Sequence, residues 1–151
     1  MKATRKSIET FLSSRKLAIA GVSRDPKKFG HSIFKELKEK GFEVYPVNPN
    51  TDNINGTPCF HSISALPLDV RSLVILTPKP QTLQLVKDAV EKGMDNIWIQ
   101  QLSETKESLA YLSGRPLNLV SNECILMWIE PVKSVHKFHK TIRKIFGLLP
   151  A

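Results

Sequence analysis

Short apolar strands alternating with amphipathic helices predict an α/β fold: an open, doubly wound parallel sheet of five strands with helices on both faces. Three observations carry that prediction. The strand-like segments are near-continuous apolar runs, as strands covered on both faces are. Segments with apolar residues at helical spacing separate them. Glycine and proline stand at the joints. The chain has 151 residues, within the length of one domain of about 100–200 residues, so residues 1–151 read as a single unit.

In the N-terminal segment 1–15, residues 5–14 read as an amphipathic helix with Ile8, Phe11 and Leu12 on one side. Residues 17–22, Leu-Ala-Ile-Ala-Gly-Val, form a buried strand. A polar turn follows, then a helix over about residues 30–40 with Ile33, Phe34 and Leu37 inward, stopped by Gly41. Residues 43–47 make the second strand, closed by Asn48-Pro49. Residues 50–61 are loop, with a turn at Asn55-Gly56 and a helical turn near 62–66 after it. Residues 73–76 are the third strand. Pro80 opens the next helix, where its missing N–H is not needed; Leu83, Val86 and Val90 face inward and Gly93 ends it. Residues 96–100 form the fourth strand, Ser103 is the expected N-cap of a helix over 104–112, and residues 117–120 are the fifth strand. In the basic segment 131–151, Val135, Phe138, Ile142 and Ile145 predict a last helix over about residues 131–146.

The composition narrows the functional classes. At 41% hydrophobic and 24% charged residues, the chain is neither disordered nor collagen-like. No apolar run reaches the roughly 18 residues of a membrane span, and the polar, basic start is not a secretory signal. Two cysteines, Cys59 and Cys124, read as reduced thiols, so a cytoplasmic protein is expected. The formal charge of +8 is uneven: residues 42–130 carry six bases against ten acids, whereas residues 131–151 carry five bases and no acid. That basic end reads either as the solvated face of a helix or as an arm for an acidic partner. Zinc-type spacing and aromatic RNA-binding signatures are absent, so neither nucleic acid nor membrane is expected as a partner.

In an open parallel sheet, ligands bind beyond the carboxyl ends of the strands, and the first strand-to-helix turn offers free helix N–H groups to a phosphate. Here that turn runs from Gly21 to Gly30. Gly21 permits a tight turn, Ser23 offers a hydroxyl, and Arg24, Lys27 and Lys28 add positive charge. The dinucleotide fingerprint needs three glycines within six residues, but none stands between Gly21 and Gly30. A carboxylate usually ends the second strand of an NAD site; Asn48 occupies that place. Both departures argue against NAD. NADP is less disfavoured, since basic residues can meet its extra phosphate.

Five pieces in order resemble the small stand-alone CoA-binding proteins, relatives of the CoA-binding domain of the succinyl-CoA synthetase alpha subunit. They are Ala-Ile-Ala-Gly-Val-Ser-Arg-Asp-Pro-Lys-Lys-Phe-Gly at 18–30, Val-Tyr-Pro-Val-Asn-Pro at 44–49, Leu76-Thr77-Pro78, Ile-Trp-Ile-Gln at 97–100 and Asn-Glu-Cys-Ile-Leu-Met at 122–127. The resemblance covers about residues 15–130 and implies a Rossmann-like domain that holds coenzyme A. It implies that Val22, Ser23 and Arg24 line the diphosphate turn. Val47, Asn48 and Pro49 border the adenosine end, Thr77 and Pro78 cover it, and Gln100 sits near the pantetheine path. A basic residue soon after the second strand's proline holds the nucleotide in the ligase. Asn50, Thr51 and Asp52 stand there instead, leaving Lys28 or Lys79 as substitutes. The ligase's phosphohistidine machinery lies outside this small domain, so the resemblance implies binding of CoA or an acyl-CoA and does not assign acyl-CoA synthesis to this chain.

Cys124 follows the fifth strand on the ligand side, where it reads either as a thiol near the CoA sulfur or as a small buried apolar residue. His31 opens the first crossover helix, with either a phosphate-donor or a surface role. His136 and His139 share a helix face but lack a third metal ligand, and no metal site is expected. Trp98 and Trp128 read as packing. Three functions therefore stand open: a CoA-binding module, an NADP-dependent oxidoreductase on the same fold, and an interaction protein using the basic C-terminal helix, with a homo-oligomer possible for any of them.

Overall fold

The computed structural model describes residues 2–129. Helix α1 (Arg5–Ser13) precedes strand β1 (Lys16–Ala20), α2 (Phe29–Glu39) and β2 (Glu43–Val47). A miniature hairpin, β3 (Asn53–Ile54) and β4 (Thr57–Pro58), and a 3-10 turn (Ile63–Ala65) lead to β5 (Ser72–Ile75). Then come α3 (Lys79–Glu91), β6 (Asn96–Gln100), α4 (Lys106–Leu112), β7 (Asn118–Glu123) and a second 3-10 turn (Ile125–Met127). The expected C-terminal helix over 131–146 lies outside the described residues.

The main sheet has five strands in the order β2-β1-β5-β6-β7, every neighbouring pair parallel. This is the doubly wound fold that the apolar runs predict. Strand alternation divides the core in two. Leu17, Ile19, Val74, Trp98 and Val120 pack with Phe11 of α1 and with Ile33, Phe34 and Leu37 of α2. Ala18, Ala20, Leu73, Ile75, Ile97 and Ile99 pack with Val86 and Ala89 of α3 and Leu112 of α4. The helices thus change faces between β1 and β5, and a crevice opens there at the strands' carboxyl ends.

Three local expectations are corrected. The N-cap of α4 is Thr105: its hydroxyl accepts from Ser108 N at 3.0 Å, and Ser108 Oγ accepts from Thr105 N at 3.0 Å. Ser103 is buried instead, its carbonyl accepting from Thr82 Oγ1 at 2.6 Å. That bond turns Thr82 inward with Val86 and Ala89, leaving Leu83 and Val90 only half-buried. The fifth sheet strand runs on past Val120 to Glu123, through a register shift that pairs Gln100 with Glu123. Asn122 absorbs the extra residue at φ 59°, a left-handed conformation that asparagine tolerates better than most residues.

Candidate functional site

The β1–α2 turn is shaped by two close backbone approaches. Gly21 leaves β1 at φ +98°, and a Cβ there would stand 2.9 Å from Thr77 N and 3.0 Å from Leu76 C. A Cβ on Gly30 would stand 2.6 Å from the Gly21 carbonyl oxygen. The two glycines let α2 press onto the end of β1, and the end of β1 press onto the end of β5. Within the turn, Ser23 Oγ accepts from Asp25 N at 3.1 Å, and Asp25 Oδ1 accepts from Lys27 N at 2.9 Å. Among the described residues no side chain caps α2, whose N-cap is Lys28, so its first N–H groups remain available to an anion.

Neighbouring strands brace the turn. Asn48, just after β2, donates from Nδ2 to the Val22 carbonyl at 2.9 Å and accepts at Oδ1 from Asn50 N at 2.8 Å. His31 is buried on α2, with Nδ1 2.8 Å from the Ser23 carbonyl and Nε2 2.9 Å from Asn55 Nδ2. A carbonyl can only accept, so the proton sits on Nδ1 and Nε2 accepts from the Asn55 amide. His31 therefore ties the turn to the β3–β4 hairpin and is a structural tether.

Beyond this turn lies a cavity of about 630 Å³ at the ends of β1, β2 and β5, walled on one side by α3. Of the residues singled out in the sequence, Gly21, Val22, Ser23, Val47, Asn48, Pro49, Thr77 and Pro78 line it together. Thr77 is buried, and its hydroxyl finds no hydrogen-bond partner among the described residues. Such an atom costs stability where nothing satisfies it. Arg24 and Lys28 are exposed on the turn and lie outside the lining. Gln100 also lies outside it: buried, it accepts from Ile125 N at 3.1 Å and holds the second 3-10 turn against β6.

Cys124 caps that 3-10 turn and packs in the core on the α1–α2 face, away from the cavity wall made by α3. Cys59 is half-buried near the Asn48 carbonyl, and burial pushes its thiol up. Cys59 is therefore expected to alkylate slowly at neutral pH and Cys124 more slowly still. Timed labelling with peptide mapping checks this; faster labelling of Cys124 would mean that its turn opens readily.

The sequence reading missed His61, Ser62 and the α3 residues Gln81, Gln84 and Asp88, which also line the cavity. The helix positions stand at steps of three and four and carried a signal, because such a polar stripe shares one face; it reads equally well as a solvated surface. His61 carried none, since its place depends on how the 50–61 loop returns. Phe60 forms a parallel bridge to Val47, and Asn48 N donates to the Phe60 carbonyl at 2.8 Å. Among the described residues, no helix is long and apolar enough to cross a membrane.

Comparison with known proteins agrees with this architecture. An acetate–CoA ligase (ADP-forming) II subunit alpha from Pyrococcus furiosus is 36% identical over 93 residues, covering 61% of this chain. The chain spans only 20% of that subunit's length. A solved conserved hypothetical protein from Pyrococcus furiosus is 41% identical, with a TM-score of 0.71, over 74% of this chain and 96% of its own. A hypothetical protein from Pyrococcus horikoshii superposes with a TM-score of 0.78 at 26% identity, over 87% of this chain and 99% of its own. A family model, the CoA binding domain, matches residues 15–130, the span that holds all five main strands and the cavity, and the chain belongs to that family.

Proposed function

We propose that the protein binds coenzyme A or an acyl-CoA in the cavity at the ends of β1, β2 and β5, with the diphosphate on the β1–α2 turn. The observation that carries this reading is the turn: a glycine-shaped approach to an uncapped helix N-terminus, opening into a cavity of about 630 Å³. A volume of about 300–1,000 Å³ suits a cofactor-sized ligand. Family membership and the ligase relative support CoA as that ligand. Arg24 and Lys28, exposed on the turn, supply positive charge to the approach. Asn48, with its amide committed to Val22 and Asn50, lacks the carboxylate that binds ribose hydroxyls in NAD sites.

Thermal unfolding with either ligand is the test. A ligand at about 100 times its Kd stabilises the folded state by about 2.7 kcal/mol, so CoA is expected to raise the melting temperature clearly and NAD much less. Thr77→Val sharpens the result. Removing a buried, unpartnered hydroxyl is expected to leave the free protein as stable or up to about 1 kcal/mol more so. The same change is expected to weaken CoA by about 1 kcal/mol, because the hydroxyl is then lost to the ligand. A melting shift with NAD or NADP but not with CoA would overturn the reading.

A further inference from the structure

We infer that His61 recognises a phosphate on the ribose of the bound nucleotide, and that it does so only in its protonated form. This rests on the CoA-binding reading and deepens it, since CoA carries a phosphate on its ribose 3′-oxygen.

In a doubly wound sheet, the ribose of an adenine nucleotide lies at the end of the second strand. Here β2 ends at Val47, and the returning loop sets Phe60 beside it through the Val47–Phe60 bridge. Phe60 N donates to the Pro46 carbonyl at 2.9 Å. His61 is the next residue and lines the same cavity. No lysine or arginine lines it among the described residues; its one other ionisable group is Asp88 on α3, which accepts from Gln84 Nε2 at 2.8 Å. Among the described lining residues, a phosphate at this end of the cavity therefore meets one side chain able to become a cation.

Asp52 decides what that side chain offers. Its Oδ1 is 2.6 Å from His61 Nε2, and a carboxylate only accepts, so Nε2 carries a proton whether the ring is neutral or charged. In the neutral ring Nδ1 is then a lone pair, which repels a phosphate oxygen. In the charged ring Nδ1 becomes a donor. Asp52 on its own loop is the ring's ion-pair partner; Asp88 on α3 lines the same cavity, and the Lys92 ammonium donates to the Ser64 carbonyl at 2.8 Å on the following turn. Because only the charged ring offers Nδ1 as a donor, the phosphate contact is expected to be stronger at lower pH and weaker at higher pH.

The experiment is calorimetric titration of the full chain with CoA and with 3′-dephospho-CoA. Measurements at about pH 6.5 and about pH 8.5 stay above the second pKa of a phosphate monoester, about 6. The wild type is expected to prefer CoA by about tenfold at the lower pH, as a charged hydrogen bond supplies, and to lose most of that preference at the higher. His61→Gln is expected to bind both ligands alike at both pH values. His61→Lys is expected to keep the preference at both. The ring is 57% exposed, so neither change threatens the fold. A pH-independent preference in the wild type, a preference surviving in His61→Gln, or equal binding of both ligands throughout would overturn the role of His61 while leaving the CoA reading standing. Failure of both ligands to bind the wild type at either pH would instead overturn the CoA reading itself.

Discussion

Gly21→Ala is expected to destabilise the protein by about 2–5 kcal/mol and to weaken CoA binding by more than tenfold. Two costs add. The residue sits at φ +98°, where a Cβ costs about 1–2 kcal/mol. The added carbon also lands 2.9 Å from Thr77 N and 3.0 Å from Leu76 C. Both are backbone atoms of the neighbouring strand's end and cannot swing aside, and overpacking of that kind costs about 1–3 kcal/mol. Relief requires the ends of β1 and β5 to part, and those ends are walls of the crevice. Gly93→Ala isolates the first cost, since Gly93 has φ +84° with nothing within 4 Å of its added Cβ; about 1–2 kcal/mol is expected there. Urea unfolding of both variants, with CoA titration of each, measures the difference. Equal losses at the two positions would mean that the close approach of β1 and β5 carries no energetic weight.

Trp98→Ala is expected to cost about 3–5 kcal/mol, the range for a large aromatic removed from a packed core. Trp98 is fully buried on β6, its ring 5.3 Å from that of Phe11 in an edge-on arrangement. Emptying this site removes the ring against which Phe11 of α1 packs. Trp98→Phe separates volume from hydrogen bonding. The indole N–H donates to the Glu123 carbonyl at 3.2 Å, but Gln101 N donates to the same oxygen at 3.1 Å. No acceptor is orphaned by phenylalanine, so about 1–2 kcal/mol is expected from lost volume alone. CoA affinity of the folded protein is expected to stay within about twofold in both variants, because Trp98 faces the α1–α2 layer and the cavity is walled by α3. A tenfold loss of affinity in Trp98→Phe would tie this core to the site.

The strands were legible because burial on both faces leaves an unbroken apolar record. Leu17 to Ala20, Leu73 to Ile75 and Ile97 to Ile99 are all buried, and such runs declare themselves without knowledge of their neighbours. The β1–α2 turn was legible for a related reason: Gly21 and Gly30 mark backbone geometry that few other residues permit. The N-cap of α4 was not. Ser103 and Thr105 have similar local chemistry, and only the long-range bond from Thr82 decides which is drawn into the core. The fifth strand was read short because Ser121, Asn122 and Glu123 are polar, whereas their place in the sheet comes from pairing with β6 across a bulge.

The candidate site divides along the same line. Its floor follows from local sequence: Gly21, Val22 and Ser23 after one strand, Asn48 and Pro49 after the next, Thr77 and Pro78 after the third. Such residues end strands of a parallel sheet and so gather at one edge by topology alone. The unpartnered Thr77 hydroxyl, the removal of Gln100 and Cys124 from the cavity, and the arrival of His61 with Asp52 at its rim were decided by tertiary structure. These depend on contacts between segments far apart in the chain: Gln100 with Ile125, the end of β2 with Phe60, α3 over the strand ends. Periodicity and turn chemistry record which backbone a segment prefers. Which side chain of a polar segment meets a cavity is set by the register in which that segment packs against another, and no local pattern carries that information.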